Sequence, residues 1–261
     1  MWTVCADVLR GKERLPVKVL VIPDVHLKPE MFDQADSIMK RGAAERAACL
    51  MDIPDDWGQE LNIDLYINTF DAAIKFAKKY PDTLWVYGNH DLSYLWNKRE
   101  SGYSSFAADT VCRKLAELQR ALPEENEMRY IHRIDNVAFC HGGIMDFFVK
   151  KFVSASEEKD IDEVIEALNC LSNEEMWKDI SPIWFRPQLS GSELYKEGEL
   201  LQVVGHTPVK EVYKIHSLVS CDVFSTYRDG TAIGKREFLV IDTKTWEIER
   251  VAAESLLCLE K

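Results

Sequence analysis

The stretch Tyr87-Gly88-Asn89-His90-Asp91 follows a short apolar run, Thr83-Leu84-Trp85-Val86, and together they read as a buried strand that ends in a tight turn. Gly88 allows the backbone to turn where a side chain would block it. Asn89 offers a neutral amide oxygen, a hard ligand for a cation. His90 offers an imidazole that can hand over a proton near neutral pH. One such turn says little alone. The same residue types recur at other strand-like ends: Asp24-Val25-His26, the segment from Asp52 to Asp55, His141-Gly142-Gly143 and Gly205-His206-Thr207.

Working outward, residues 17–22 (VKVLVI) form a compact apolar run stopped by Pro23, the pattern of a buried strand feeding a loop. Open α/β sheets place ligand sites just past the carboxyl ends of their strands, where Asp24 and His26 fall. Read alone, the same two residues equally describe a capped turn and a surface histidine. Residues 30–50, rich in Ala, Met, Lys and Glu, read as helix, and Asp52-Ile53-Pro54-Asp55-Asp56-Trp57-Gly58 as an acidic turn or a bridging carboxylate loop. Residues 62–80 form an amphipathic helix ended by Pro81, residues 92–99 continue as helix from the central turn, and DTVCRKLAELQRAL (109–122) has apolar residues at helical spacing.

Residues 128–140 read as a hairpin with its turn at Asp135-Asn136, and His132, in mid-strand, is structural. The acidic helical region 157–179 is broken by Ser181-Pro182-Ile183-Trp184-Phe185-Arg186-Pro187. There Arg186 is held on stiff backbone, ready to grip a phosphate with two donors or to stack on Trp184. After the strand 201–204, the runs VYKIH, SLVSC, FLVID and WEIERV suggest an antiparallel sheet that closes the fold. Residues 1–16 are a strand or a loose arm.

Composition sets limits. A net charge of -12 argues against nucleic-acid wrapping or an anionic membrane surface as the main partner. It leaves room for an anionic substrate, because a bound dication inverts the field of a cleft. The seven cysteines form no CxxC pair, which fits a reducing, cytoplasmic compartment. No apolar run reaches the length of a membrane span, and the charged residues within 1–16 do not make a secretory leader. With no repeat or linker, residues 1–261 are expected to form one domain with a helical insertion at about 145–200.

The ordered set DxH, DxxD, GNHD, HGG and GHT resembles the calcineurin-like metallophosphoesterases. It is most similar to their phosphoprotein phosphatase and diadenosine tetraphosphatase branch, because Pro208 follows GHT. The resemblance covers roughly residues 17–226, and four of the six histidines fall inside its motifs. It implies a four-layer α/β/β/α sandwich with two packed mixed β-sheets. It further implies two divalent ions, Mn first, with Fe, Zn or Ni as alternatives. Asp24, His26 and Asp52 would hold one ion. Asp52 would bridge to a second, held also by Asn89, His141 and His206. His90 would donate a proton to the leaving oxygen with Asp55 orienting it, and Arg186 and Asn89 would bind the substrate phosphate. Oxygen and imidazole donors without a cysteine suit such ions and leave positions open for water.

The implied activity is hydrolysis of a phosphate ester by a metal-activated hydroxide, of the serine/threonine protein phosphatase type. The substrate would be a phosphorylated small molecule, nucleotide or phosphoprotein. Alternatives are a dinucleoside polyphosphate hydrolase or phosphodiesterase, and, from another class, a non-catalytic scaffold of the same fold. The sequence also departs from the phosphoprotein phosphatases. Met51 replaces the first glycine of their GDxxDRG, Asp56-Trp57 stands where Arg-Gly would be, and Tyr87 where an arginine precedes GNH. An aspartate at that point is expected to repel a phosphomonoester dianion. Trp57, Tyr87, Tyr94 and Trp96 read as core aromatics or as stacking platforms, and Asp222 has no assigned role.

Overall fold

The computed structural model describes residues 17–253. The segment 1–16, read above as a strand or arm, lies outside the described residues. In chain order the elements are β1 (Lys18–Ile22), α1 (Glu30–Lys40), β2 (Arg46–Cys49), α2 (Ile63–Lys79), β3 (Leu84–Trp85), α3 (Asn89–Leu95) and α4 (Ala108–Ala121). They continue with β4 (Ile131–Ile134), β5 (Val137–Cys140), α5 (Asp146–Phe152), α6 (Ile161–Asn169) and α7 (Asn173–Met176). The chain closes with β6 (Leu201–Val204), β7 (Tyr213–Ile215), β8 (Leu218–Ser220), β9 (Glu237–Asp242) and β10 (Ile248–Ala252).

Two mixed five-stranded sheets result, in the orders β10-β9-β1-β2-β3 and β4-β5-β6-β8-β7. Strand periodicity explains how they pack. Val137 and Phe139 of β5, Leu201 and Val203 of β6 and Val219 of β8 join the same buried cluster as β1, β2 and β9. The alternate residues Ala138, Cys140 and Val204 pack instead with Phe148, Val149, Val164 and Leu168 of α5 and α6. Helices α1, α2 and α4 bury Phe32, Phe70, Val111 and Leu115 in the first cluster. Fully burying a Leu or Phe side chain contributes about 1.5–3 kcal/mol, so this double face is the main source of stability. The expected α/β sandwich of two packed mixed sheets flanked by helices is the observed fold.

Two expectations are corrected. The helix expected over 30–50 stops at Lys40, and Arg46–Cys49 is a strand hydrogen-bonded in parallel to both β1 and β3. Its alanines favour helix locally, but Ala47, Ala48 and Cys49 are buried between two strands, and burial overrides propensity. The closing runs do not form one antiparallel sheet. β7 and β8 join the second sheet, where β8 runs parallel to β6, while β9 and β10 extend the first sheet beyond β1. Local alternation defines each strand but not its partner. His132 is structural, as read: it is buried, with its Nε2 3.2 Å from the Trp85 carbonyl.

β1, β2 and β3 are mutually parallel, and so are β5, β6 and β8. Their carboxyl ends therefore emerge along one edge of each sheet. That edge carries Asp24, Asp52, Asn89, His141, His206 and Asp222.

Candidate metal centre

The loops after β1 and β2 extend the parallel ladder past the strands. The N–H groups of Val25, His26 and Leu27 donate to the carbonyls of Met51, Asp52 and Ile53 at 3.0, 2.8 and 3.0 Å. His26, Asp52, Asp55 and His206 all have positive φ, at 41, 42, 68 and 60°. Such backbone costs about 1–3 kcal/mol per residue and persists only where its surroundings enforce it. Asp91 supplies part of that enforcement. Its carboxylate accepts from the N–H groups of Asp52 (2.9 Å), Gly88 (3.0 Å) and Ile53 (3.2 Å), tying the second loop to the third. Sequence reading assigned Asp91 no role; its reach across 39 residues is a tertiary fact.

Asp52 lies at the middle. Donor atoms of Asp52, His141 and His206 fall within 4.8 Å of one another, and so do those of His26, Asp52 and His90. His141 Nε2 is 3.0 Å from Asp52 Oδ2, 3.0 Å from Asn89 Oδ1 and 3.9 Å from Asp24 Oδ2. The second group joins His90 to His26 and Asp52. Asp24 Oδ2 accepts the His206 N–H at 2.8 Å.

His90 Nδ1 is 2.9 Å from Asp55 Oδ2, which leaves Nε2 to face the cavity. Around these groups is a cavity of about 220 Å³ lined by His26, Asp55, His90, Arg186 and Trp184 among others. Arg186 Nη1 donates to the His206 carbonyl at 2.8 Å, fixing the guanidinium at the wall. A family model for calcineurin-like phosphoesterases matches residues 17–233.

This chain belongs to the calcineurin-like phosphoesterases.

No curated protein matches the chain. Among solved structures, one described as a novel archaeal phosphodiesterase is 14% identical, with 90% of this chain and 99% of that one covered at a TM-score of 0.42. A metallophosphoesterase from Sphaerobacter thermophilus is 14% identical, covering 92% of this chain and 90% of that one at a TM-score of 0.41. A protein of Thermus thermophilus is 12% identical, covering 92% and 100% at a TM-score of 0.44.

Calcineurin-like phosphoesterases are typically binuclear metal enzymes, and the donors of this chain suit cations. Asp24 Oδ1 and His206 Nε2 are buried polar atoms with no hydrogen-bond partner, an arrangement that is costly unless a ligand satisfies it. A Cβ on Gly88 would stand 1.9 Å from Asp52 Oδ1, and one on Gly205 1.9 Å from Asp24 Oδ1. Both glycines thus make room for a buried carboxylate. The Nδ1 atoms of His26 and His141 lie 2.9 Å from the Asp55 carbonyl and 3.1 Å from the Leu50 carbonyl. A carbonyl only accepts, so each Nδ1 carries the hydrogen and each Nε2 is the atom able to ligate a cation.

The electrostatics are those of a site rich in buried carboxylates. Burial raises Asp24 well above the usual carboxylate range, and nearby Asp222 adds to the rise. Burial acts to lower His141, yet the charges of Asp52 and Asp24 outweigh it and set its pKa at about 9. Burial likewise acts to lower His90, and Asp52, the Asp55 hydrogen bond and Glu100 raise it to about 10. Burial lowers His206 well below its ordinary value, and the His141 charge lowers it further, keeping the imidazole neutral.

Sequence reading missed several residues. Lys28 pairs with Asp56 and donates to the His26 carbonyl at 2.9 Å. Glu100 accepts from Asn89 Nδ2 at 2.6 Å, fixing the amide so that Oδ1 faces His141. Asp222, fully buried, accepts from Ser225 Oγ and lines the cavity. Of the four flagged aromatics, Trp57 alone lines the cavity. Trp96 packs against Tyr130 and Trp177, Tyr87 against Tyr130, and Tyr94 bonds to Asp55.

Proposed function

We propose that this chain is a binuclear, metal-dependent phosphoester hydrolase. The observation that carries the reading is Asp52, one carboxylate common to two groups of ligand atoms, beside the unpartnered Asp24 Oδ1 and His206 Nε2. Asp24, His26 and Asp52 would hold one ion and Asp52, Asn89, His141 and His206 the other. Oxygen and nitrogen donors suit Mn, Fe or Zn. When bound, such ions supply Lewis acidity that activates water and offsets charge on phosphoryl oxygens.

The residues of the chain do the rest. His90, with Nδ1–H held by Asp55, presents Nε2 to the leaving oxygen as its proton donor. Arg186 offers its remaining N–H groups to a phosphoryl oxygen. One of the two amide hydrogens of Asn89 is engaged by Glu100, which leaves the other for substrate. The segment 145–200, an insertion within a single domain, brings Trp184 and Arg186 to the cavity. The free thiols of Cys49, Cys140 and Cys221 suit a reducing cytoplasm. Among the described residues, no helix is long and apolar enough to cross a membrane.

A second observation bears on substrate class. Glu100 and Asp222 line the cavity, and Asp56, where phosphoprotein phosphatases resemble one another in carrying an arginine, adds no cation there. Arg186 is the one Lys or Arg among the lining residues. That wall suits the single charge of a phosphodiester better than a phosphoserine-type dianion. Protein stripped of metal and reloaded with Mn should hydrolyse bis(p-nitrophenyl) phosphate with a higher kcat/KM than p-nitrophenyl phosphate. The opposite preference would restore the monoesterase assignment. Absence of metal-dependent turnover on both, and on dinucleoside polyphosphates, would leave the scaffold.

A further inference from the structure

We infer that Tyr66 and Tyr94 are positioning residues for the proton donor, together clamping Oδ1 of Asp55 so that Oδ2 alone is presented to His90. The inference rests on the proposed role of His90.

Asp55 Oδ1 accepts two phenol hydrogen bonds, from Tyr66 at 2.9 Å and Tyr94 at 2.5 Å, while Oδ2 stands 2.9 Å from His90 Nδ1. All three partners are shielded: Asp55 is 2%, Tyr66 0% and Tyr94 3% exposed. The Ser104 N–H donates to the Tyr94 hydroxyl at 2.8 Å. That hydroxyl therefore accepts from Ser104 and has its own hydrogen to give to Asp55. Burial and the Asp55 charge push both phenols above their ordinary pKa, so both remain O–H donors.

The geometry follows from the helices. His90 and Tyr94 lie four residues apart on α3 and so share one face. From that face the imidazole reaches one carboxylate oxygen and the phenol reaches the other. Tyr66 comes from α2, whose start is fixed by the Asn62 side chain accepting the Leu65 N–H at 3.3 Å. A carboxylate held at one oxygen only by an imidazole can swing about its Cβ–Cγ bond. Two fixed donors on the other oxygen remove that freedom, and the ring plane of His90 follows. Gly102, at φ +89°, lies against the pair: a Cβ there would be 3.4 Å from Asp55 Cβ and 3.5 Å from His90 Cε1.

The clamp has a signature that general structural support lacks. A proton donor matters most when the leaving oxygen is a poor leaving group. In the Mn-loaded enzyme, Tyr66→Phe/Tyr94→Phe should lower kcat for a phenyl ester about tenfold or more, part of the roughly 10²–10⁴-fold a general acid contributes. The p-nitrophenyl ester should change by less than about threefold, with KM and ions per chain unchanged. In a His90→Asn background the tyrosine substitutions should cost nothing further. Equal losses on both esters, or a full further loss without His90, would overturn the inference. Each single Tyr→Phe variant gives the same test if the double variant does not fold. Proton NMR separates the inference from the function it rests on: a low-field His90 Nδ1–H signal, assigned by its loss in His90→Asn, should shift or broaden in the tyrosine variants. An unchanged signal overturns the clamp even in a protein that hydrolyses nothing.

Discussion

Lys28 Nζ stands 2.9 Å from Asp56 Oδ2, the two side chains 8% and 19% exposed. Asp56 Oδ1 accepts from Thr226 Oγ1 at 2.6 Å and from the Trp57 N–H at 2.9 Å. The acid in place of a phosphate-gripping arginine is therefore not a bare charge aimed at substrate, as its sequence position suggests. It is a tie between the loop after β2 and the loop after β8. Arg228 lies over the Trp57 ring at 4.9 Å and strengthens the same tie. Burial acts to raise the Asp56 pKa, but Lys28 and Thr226 hold it below the ordinary range. Asp56→Asn should cost about 1–3 kcal/mol, because Lys28 keeps the His26 carbonyl but loses its counter-charge. Asp56→Asn with Lys28→Met should recover part of that loss in a denaturant titration.

The glycine cradles are testable by metal content alone. Gly205→Ala and Gly88→Ala each place a Cβ 1.9 Å from a carboxylate oxygen, so each carboxylate must turn away from the centre. Elemental analysis should find fewer bound ions in both variants. Gly191→Ala, where a Cβ meets nothing within 4 Å, should retain the wild-type content.

His90 lies close enough to Asp52 and His26 to be a ligand, and its assignment as proton donor is distinguishable from that role. His90→Asn should reduce turnover by roughly 10²–10⁴-fold while two ions remain bound. Loss of one ion in the same variant would move His90 into the ligand set.

His132 gives a pH test away from the centre. Burial, aided by the charge of Arg129, lowers its pKa to about 4. The unfolded chain, with an ordinary histidine near 6.5, binds the extra proton first. Stability from neutral His132 is therefore complete above about pH 6.5 and is lost as pH falls through 4. The integrated effect is about 3.5 kcal/mol at most, by roughly 1.4 kcal/mol per pKa unit. His132→Gln should flatten the dependence of the unfolding free energy between those pH values, and an unchanged slope would contradict it.

Much of this centre was legible because each ligand-type residue sits just past a short apolar strand. Gly88 and Gly205 at the approaches reinforced that signal. What was not legible lies in long-range partners of ordinary residue types. Tyr66 and Tyr94 look like any buried aromatics until α2 and α3 bring them to Asp55. Lys28 looks like a surface lysine until the loop after β2 folds against it. The alanine-rich β2 was hidden because helix propensity is local and sheet membership is not. The same limit merged β7 and β8 with β9 and β10, whose alternation is similar but whose neighbours differ.

The most direct measurement is an anomalous difference map from crystals of the Mn-loaded protein. Two peaks are expected, one on each side of the Asp52 carboxylate, with Asn89, His141 and His206 around one and His26 beside the other. A map with no peak at Asp52, or with a single ion that Asp52 does not touch, would contradict a shared-carboxylate centre.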